Sequence, residues 1–339
     1  MAEKRVTQAD VAKEAGVHRT SVSLAFKRHP SIPAETRKRI IEIAKRMGYA
    51  PDPMLSALAS YRTRLKTRKY QGTLAWLLID YHKMPKDWHR MIYYVYYQGA
   101  KRQAKEHGYN VEVFEYNTSA MSAKRMAAIL RARNVNGILL SPQPAPYTVR
   151  DFMWDDFSLI SFGYSLMSPR LNVVTSSQYH STFALMERMR EKGYRRIAFA
   201  FDEQHDARVA HQFSAGYLAF QKSVGDQPMI YPYVWADTHI EEFLDYYKKE
   251  KPDAVITGDA RFAHFARALG LSVPGDLGIA SPLASPGIYR MTGFDENSEE
   301  VGAVAVDRLA DMIFRGEKGI PKHAHNTQVD GVWVDCGTI

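Results

Sequence analysis

The sequence predicts an α/β protein: an N-terminal three-helix helix-turn-helix head and hinge helix, followed by a two-lobed body of parallel sheets flanked by helices. Residues 6–47 carry helix signals broken by a single glycine turn. Two prolines bracket the short segment that follows, and from residue 71 apolar runs alternate with amphipathic stretches. A chain of 339 residues is long for one domain and suits a small head on a divided body. The expected divisions are a head over 1–50, a hinge helix and basic linker over 51–70, and a body over 71–339. Within the body, lobe one is expected at about 71–165 plus 293–324 and lobe two at about 166–292 plus 325–339.

The head begins with Thr7 and Asp10, a variant capping box that places a hydroxyl and a carboxylate at the positive end of a helix. Val11, Ala12 and Ala15 share one face of that helix, and Gly16 supplies the positive φ that ends it. Val17 and Val22 pin the start of a second helix, whose apolar face Ala25 and Phe26 complete. A third helix starts near Pro33, and Ile40, Ile43, Ala44 and Met47 form its packing stripe. Burying those faces leaves Arg19, Thr20, Ser23 and Lys27 pointing outward from helix two, as major-groove reading requires. Three capped helices with a glycine also occur in ordinary core bundles, so the motif alone leaves that reading open.

Charge supports the first alternative. Residues 1–70 hold 16 Lys/Arg against 6 Asp/Glu, whereas the remainder holds 29 against 31, so the net +8 belongs to the head and linker. A phosphate-binding module predicts this asymmetry; a solvated lysine-rich face is the alternative. Cys336 is the sole cysteine, which excludes an intrachain disulfide and fits a reducing cytoplasm. The first ten residues contain no apolar secretory segment, and no run approaches the ~18 apolar residues of a membrane span. A cytoplasmic location with no membrane partner is expected.

Pro51 and Pro53 bias the chain to an extended link. The segment MLSALASYR can form a short helix, marginal by itself, before the basic linker RTRLKTRKY. In the body, GTLAWLLID, NVEVFEY, NGILLSP, SLISFGY, RRIAFAF and DAVITGD read as strands. Helices such as SAKRMAAILRARN, FALMERMREKGY and EEFLDYYKKEK separate them. Such alternation implies parallel sheets covered on both faces, and two tandem units leave a cleft at the carboxyl ends of their strands.

The head VTQADVAKEAGVHRTSVSLAF and the hinge PDPMLSALAS resemble the headpiece of the lac repressor (LacI/GalR) family of bacterial transcription regulators. EKGYRRIAF, PDAVITGDARFAHFARALGLSVPGDLGIAS and VDGVWVDCGT are similar to the family's periplasmic-binding-protein-like sensor, so the resemblance spans essentially the whole chain. It implies a homodimeric, sequence-specific repressor on a palindromic DNA operator, with affinity modulated by a small molecule in the inter-lobe cleft. It implies no enzyme activity. Carried over residue by residue, it places Thr7, His18, Arg19, Thr20, Ser21, Ser23, Leu24 and Lys27 at the DNA, with Arg19, Thr20 and Leu24 as base readers. Leu58 becomes a minor-groove wedge flanked by Met54 and Leu55. His18 stands where the family has a hydroxyl residue, Leu24 where it has a polar or basic one, and Leu55 where it has alanine.

The cleft departs further. Phe213 replaces an arginine of sugar-binding members, Leu283 and Gly163 replace aspartates, and Ser176-Ser177 replaces Asp-Asn. The remaining ligand candidates are Asp80, Tyr81, Trp235, Asp259 and the position held by Phe213. A sugar needs several polar partners, so a different ligand is expected, or a degenerate pocket answering to a partner protein or to nothing. Asp259 as a helix cap and Trp235 as core are the structural alternatives. The tyrosine-rich IYYVYY, residues 92–97, reads as core plus dimer surface, with a ligand wall as the lesser alternative. The twelve histidines lack cysteine partners or ligand spacing, and there is no GxxxxGK[ST] loop or GxSxG elbow, so no metal, cofactor or catalytic site is expected.

Overall fold

A computed structural model describes residues 6–26, 31–49, 70–80, 92–143, 146–225, 229–235, 240–285 and 290–339. The head contains α1 (Gln8–Glu14), α2 (Arg19–Phe26) and α3 (Ala34–Arg46). The capping box is formed as the sequence expects: the Asp10 amide donates to Thr7 Oγ1 at 3.4 Å and the Thr7 amide to Asp10 Oδ2 at 2.8 Å. Gly16, at φ +62°, turns the chain into α2. Val11, Ala12, Ala15, Val22, Ala25, Ile40 and Ala44 are buried together, so the three apolar stripes meet in one small core. Lys27, the hinge residues Met54, Leu55 and Leu58, and Tyr81 lie outside the described residues.

The body runs β1 (Gly72–Ile79), α4 (Ile92–Glu106), β2 (Tyr109–Tyr116), α5 (Ala123–Ala132), β3 (Val135–Leu140), β4 (Tyr147–Thr148), β5 (Ser158–Phe162), β6 (Leu166–Ser168) and β7 (Asn172–Ser176). It continues α6 (Gln178–Glu191), β8 (Ile197–Phe201), α7 (Glu203–Ala207), α8 (Gln212–Val224), β9 (Tyr233–Val234), α9 (Ile240–Glu250), β10 (Ala254–Thr257) and α10 (Phe262–Ala268). The last elements are β11 (Gly278–Ala284), β12 (Thr292–Asp295), α11 (Ser298–Arg315), β13 (Asn326–Val329) and β14 (Val332–Val334). One sheet has the order β13-β7-β5-β3-β1-β2 and the other β14-β12-β11-β10-β8-β9. Within these two sheets the described pairings are parallel except β12 with β14. All eight residues of β1 are buried, which is why it reads as a continuous apolar run rather than an alternating one. Trp76 and Leu78 face the core beneath α4 and α11, and Ala75 and Leu77 face the one beneath α5. Among the described residues no helix is long and apolar enough to cross a membrane.

Sheet membership divides the lobes differently from the boundaries drawn on the sequence. Strand β7, placed in lobe two, belongs to the first sheet through β5; β12, placed from residue 293 in lobe one, belongs to the second through β11. β13, also placed in lobe two, pairs with β7. Each sheet is completed by strands remote in sequence, and periodicity within a strand carries no information about such partners. The chain therefore crosses between lobes just after β7, after β12 and after β13.

Helices α4 and α11 pack with their backbones in contact at two glycines. A Cβ on Gly99 would stand 1.9 Å from the Glu299 carbonyl oxygen, and one on Gly302 would stand 2.0 Å from that of Tyr96. No side-chain movement relieves a clash with backbone. Gly302→Ala should therefore destabilise the body by about 1–3 kcal/mol through overpacking, read as a lower urea midpoint. An unchanged midpoint would contradict this packing.

Candidate functional site

Two places gather functional chemistry. The first is the N-terminal end of α2. His18 precedes it and caps it by its ring: Nδ1 accepts from the Thr20 amide at 3.3 Å and lies 2.9 Å from the Thr20 hydroxyl. The imidazole thus takes over the task of the absent hydroxyl residue. His18, Arg19 and Thr20 are exposed, and Ser21 and Ser23 half-buried. Val22 and Ala25 on the opposite face are buried, so the outward face is set by packing of the other one. Leu24 sits at the border between the two faces, half-buried against the head core.

The second place lies between the lobes, at the carboxyl ends of the strands. Arg208, just after α7 in lobe two, donates from Nη1 to the hydroxyl of Tyr93 on α4 of lobe one at 2.6 Å. Its Cζ stands 6.0 Å from the centroid of that ring. The Tyr93 hydroxyl in turn donates to the Gln143 carbonyl at 3.4 Å. Gln143 follows β3 and ties neighbouring loops together, donating its side-chain amide to the Ile79 carbonyl at 2.9 Å and its backbone amide to Ser165 Oγ at 3.1 Å. Below, Ser176 at the end of β7 donates to Glu296 Oε1 at 2.5 Å, and the Gln178 amide donates to Ser176 Oγ at 2.9 Å. Burial pushes the Glu296 carboxyl above the ordinary range, against the Ser176 hydrogen bond and the charge of Arg208. Burial likewise raises the Tyr93 and Tyr96 phenols, so both are neutral hydrogen-bonding groups.

The comparisons with known proteins match both places. The family described as "Bacterial regulatory proteins, lacI family" matches residues 7–52, and a periplasmic binding protein-like domain matches 186–332. Catabolite control protein A of Priestia megaterium is 23% identical over 323 residues, covering 90% of this chain and 91% of the relative. Residues 7–52 thus form a DNA-binding domain of the lacI type, and 186–332 a periplasmic binding protein-like domain. Two solved structures share the fold. A transcriptional regulator CelR-cellobiose complex has a TM-score of 0.56 at 18% identity, covering 98% of this chain and 100% of that one. The lac repressor dimer bound to operator and the anti-inducer ONPF has a TM-score of 0.55 at 17% identity, covering 99% of each chain. The protein is accordingly a DNA-binding transcriptional regulator, and its relatives are regulators rather than enzymes.

Within the body, the described ligand candidates named from sequence are occupied by the chain itself. Phe213 is 1% exposed, with its ring 5.2 Å from that of Phe201, and Leu283 packs against the same core. Trp235 is 2% exposed among Phe243, Phe262 and Phe265. Its indole N–H donates to Asp259 Oδ2 at 3.0 Å. Asp259 also receives the Arg261 amide at 2.8 Å and its guanidinium at 2.7 Å. Burial acts to raise the Asp259 carboxyl, but these hydrogen bonds prevail and hold it below the ordinary range. Asp80 accepts the Thr118 amide at 2.7 Å. What bridges the lobes instead is Tyr93, Ser176, Arg208 and Glu296, none of which was named as a site from sequence. Tyr93, which the sequence reads as core plus dimer surface, contacts Arg208 of the other lobe. Only proximity across the cleft singles out Arg208 and Glu296, and no spacing in the sequence encodes it.

His205, beside Arg208, has its pKa lowered to about 4. Burial is the main cause and the Arg208 charge adds to it, while Asp202, Asp259 and Asp206 oppose it. The unfolded chain takes up this proton near pH 6.5 and the folded one near 4, so protons favour unfolding between those values. Stability should therefore rise with pH across this window and level off above it. Urea unfolding of the parent and of His205→Gln should show a shallower rise in the variant; parallel curves would contradict a neutral buried imidazole.

Proposed function

We propose that the protein is a homodimeric repressor that binds a palindromic operator. Each subunit lays α2 in the major groove, with Arg19 and Thr20 at the bases and Thr7, His18, Ser21, Ser23 and Lys27 along the backbone. The observation that carries this reading is the exposure of Arg19 and Thr20 at the start of a helix whose other face is buried. Leu58, with Met54 and Leu55 beside it, would wedge the central minor-groove step, as the family resemblance implies. The dimeric, operator-bound lac repressor of the same fold is consistent with this arrangement. The location proposed for such a protein is the cytoplasm, where its operator lies.

The cleft would bind a small effector, as the cellobiose complex of a neighbour does for that protein. An effector at the cleft would shift the lobes and the hinges attached to them, changing operator affinity by a coupling of about 1–3 kcal/mol. The saturation of Asp80, Asp259, Trp235 and Phe213 by internal contacts favours a second reading, a regulator of the same fold that answers to a partner protein or to no ligand.

Sequencing of genomic fragments retained by the purified protein at physiological salt tests the regulator reading. A recovered palindrome is expected; retention with no common sequence would mean that the head binds phosphates only. On that palindrome Arg19→Ala should relax preference at one position by about 1–3 kcal/mol, measured by competition with single-base variants. Retained preference there would remove Arg19 from base reading.

A further inference from the structure

The cleft holds a guanidinium whose hydrogen-bond partner is a neutral group. Arg208 is half-buried, and among the described residues no carboxylate lies within ion-pair distance of it. Its polar partner is the neutral phenol of Tyr93, at 2.6 Å. The neighbouring acids are committed elsewhere. Asp206 accepts the Ser214 hydroxyl at 2.5 Å and lies 3.2 Å from His211 Nδ1. Asp202 caps α7 through the His205 amide at 3.0 Å, and Asp259 pairs with Arg261 at 2.7 Å. Glu296 is turned to Ser176, and burial favours its protonated form. A guanidinium offers five donors in a planar fork that suits carboxylate and phosphate oxygens. One phenol oxygen meets only part of that capacity.

Beside the crossing after β7 the chain offers the opposite chemistry. Gln178 is 4% exposed, and after its side-chain amide has bonded to Thr175 Oγ1 at 3.0 Å and Ser176 Oγ at 2.9 Å its carbonyl oxygen has no hydrogen-bond partner among the described residues. Ser176 accepts from the Gln178 side-chain amide and donates to the half-buried carboxyl of Glu296 at 2.5 Å. Acceptors of this kind suit hydroxyl donors, and the residues that would otherwise clasp a neutral sugar are engaged within the protein.

We propose that the effector is a polyhydroxylated organic anion, a sugar acid or a sugar phosphate, whose charged group takes the Arg208 guanidinium from the Tyr93 hydroxyl while its hydroxyls reach toward Glu296 and Gln178. This rests on the reading of the cleft as the effector site. The internal Arg208–Tyr93 contact is then the competitor that the ligand displaces. Because that contact joins the two lobes, its exchange for a ligand is the event that operator affinity would sense.

Calorimetric titration of the full chain with gluconate, glucose 6-phosphate and glucose tests the proposal and separates carboxylate from phosphate. Saturable binding of at least one acid, without binding of glucose, is expected. Arg208→Gln should weaken that acid by about ten-fold or more, the size of a lost charge-assisted hydrogen bond. Tyr93→Phe, which removes the internal competitor, should bind it more tightly. Anion binding to the basic head is common to all three proteins and cancels in the comparison. Binding of glucose unchanged by Arg208→Gln, equal acid binding by the parent and Arg208→Gln, or no saturable binding of either acid would each overturn the assignment. Thermal melting of Arg208→Gln and Tyr93→Phe identifies a folding defect. Operator retention measured on the same preparations keeps failure of this assignment distinct from failure of the regulator reading.

Discussion

The contact between the backbones of α4 and α11 at Gly99 and Gly302 is the constraint on which the inter-lobe site depends. At that separation there is no room for a methyl group on either helix, so the pair is fixed by main chain rather than by adaptable side chains. Helix α4 carries Tyr93 and Tyr96, and α11 starts two residues after Glu296. Bringing the helices together therefore sets where the phenols stand relative to the carboxyl. The burial that raises Glu296, Tyr93 and Tyr96 follows from this closeness.

The three chain crossings lie beside one another and are joined by short hydrogen bonds. Ser176 at the first meets Glu296 at the second at 2.5 Å, and the Ser177 amide donates to the Val329 carbonyl at the third at 2.9 Å. Gly331 completes the arrangement, since a Cβ there would stand 2.8 Å from the Asp295 carbonyl oxygen. A rearrangement at any crossing is thus felt at the others. Coupling between a cleft and a distant head requires an element with more than one packing arrangement, and bonded crossings flanked by the Arg208–Tyr93 contact are suited to that role.

The polar candidates of the cleft are engaged within the protein. Phe213 and Leu283 add to the lobe-two core. Trp235 and Arg261 occupy both oxygens of Asp259, and Thr118 occupies Asp80. The polar groups facing across the lobes come instead from helix α4, the loop after α7 and the segment before α11.

Much of this protein was determined locally and was therefore legible in its sequence. The capping box at Thr7 and Asp10, the turn at Gly16, the buried stripe of Val11, Val22 and Ile40, and the strand–helix alternation each depend on residues a few positions apart. The exposed face of α2 followed from its buried face, since a helix with one face packed has only one other to offer. Three things were decided only by tertiary structure. The exchange of β7, β12 and β13 between lobes is a matter of strand partners remote in sequence. The replacement of a hydroxyl cap by the ring of His18 depends on a side-chain rotation that residue type does not specify. The meeting of Tyr93 with Arg208, and of Ser176 with Glu296, joins residues more than a hundred positions apart. Such pairs leave no periodic trace along the chain, because the geometry that unites them arises from the crossing of the lobes and the close approach of two glycines.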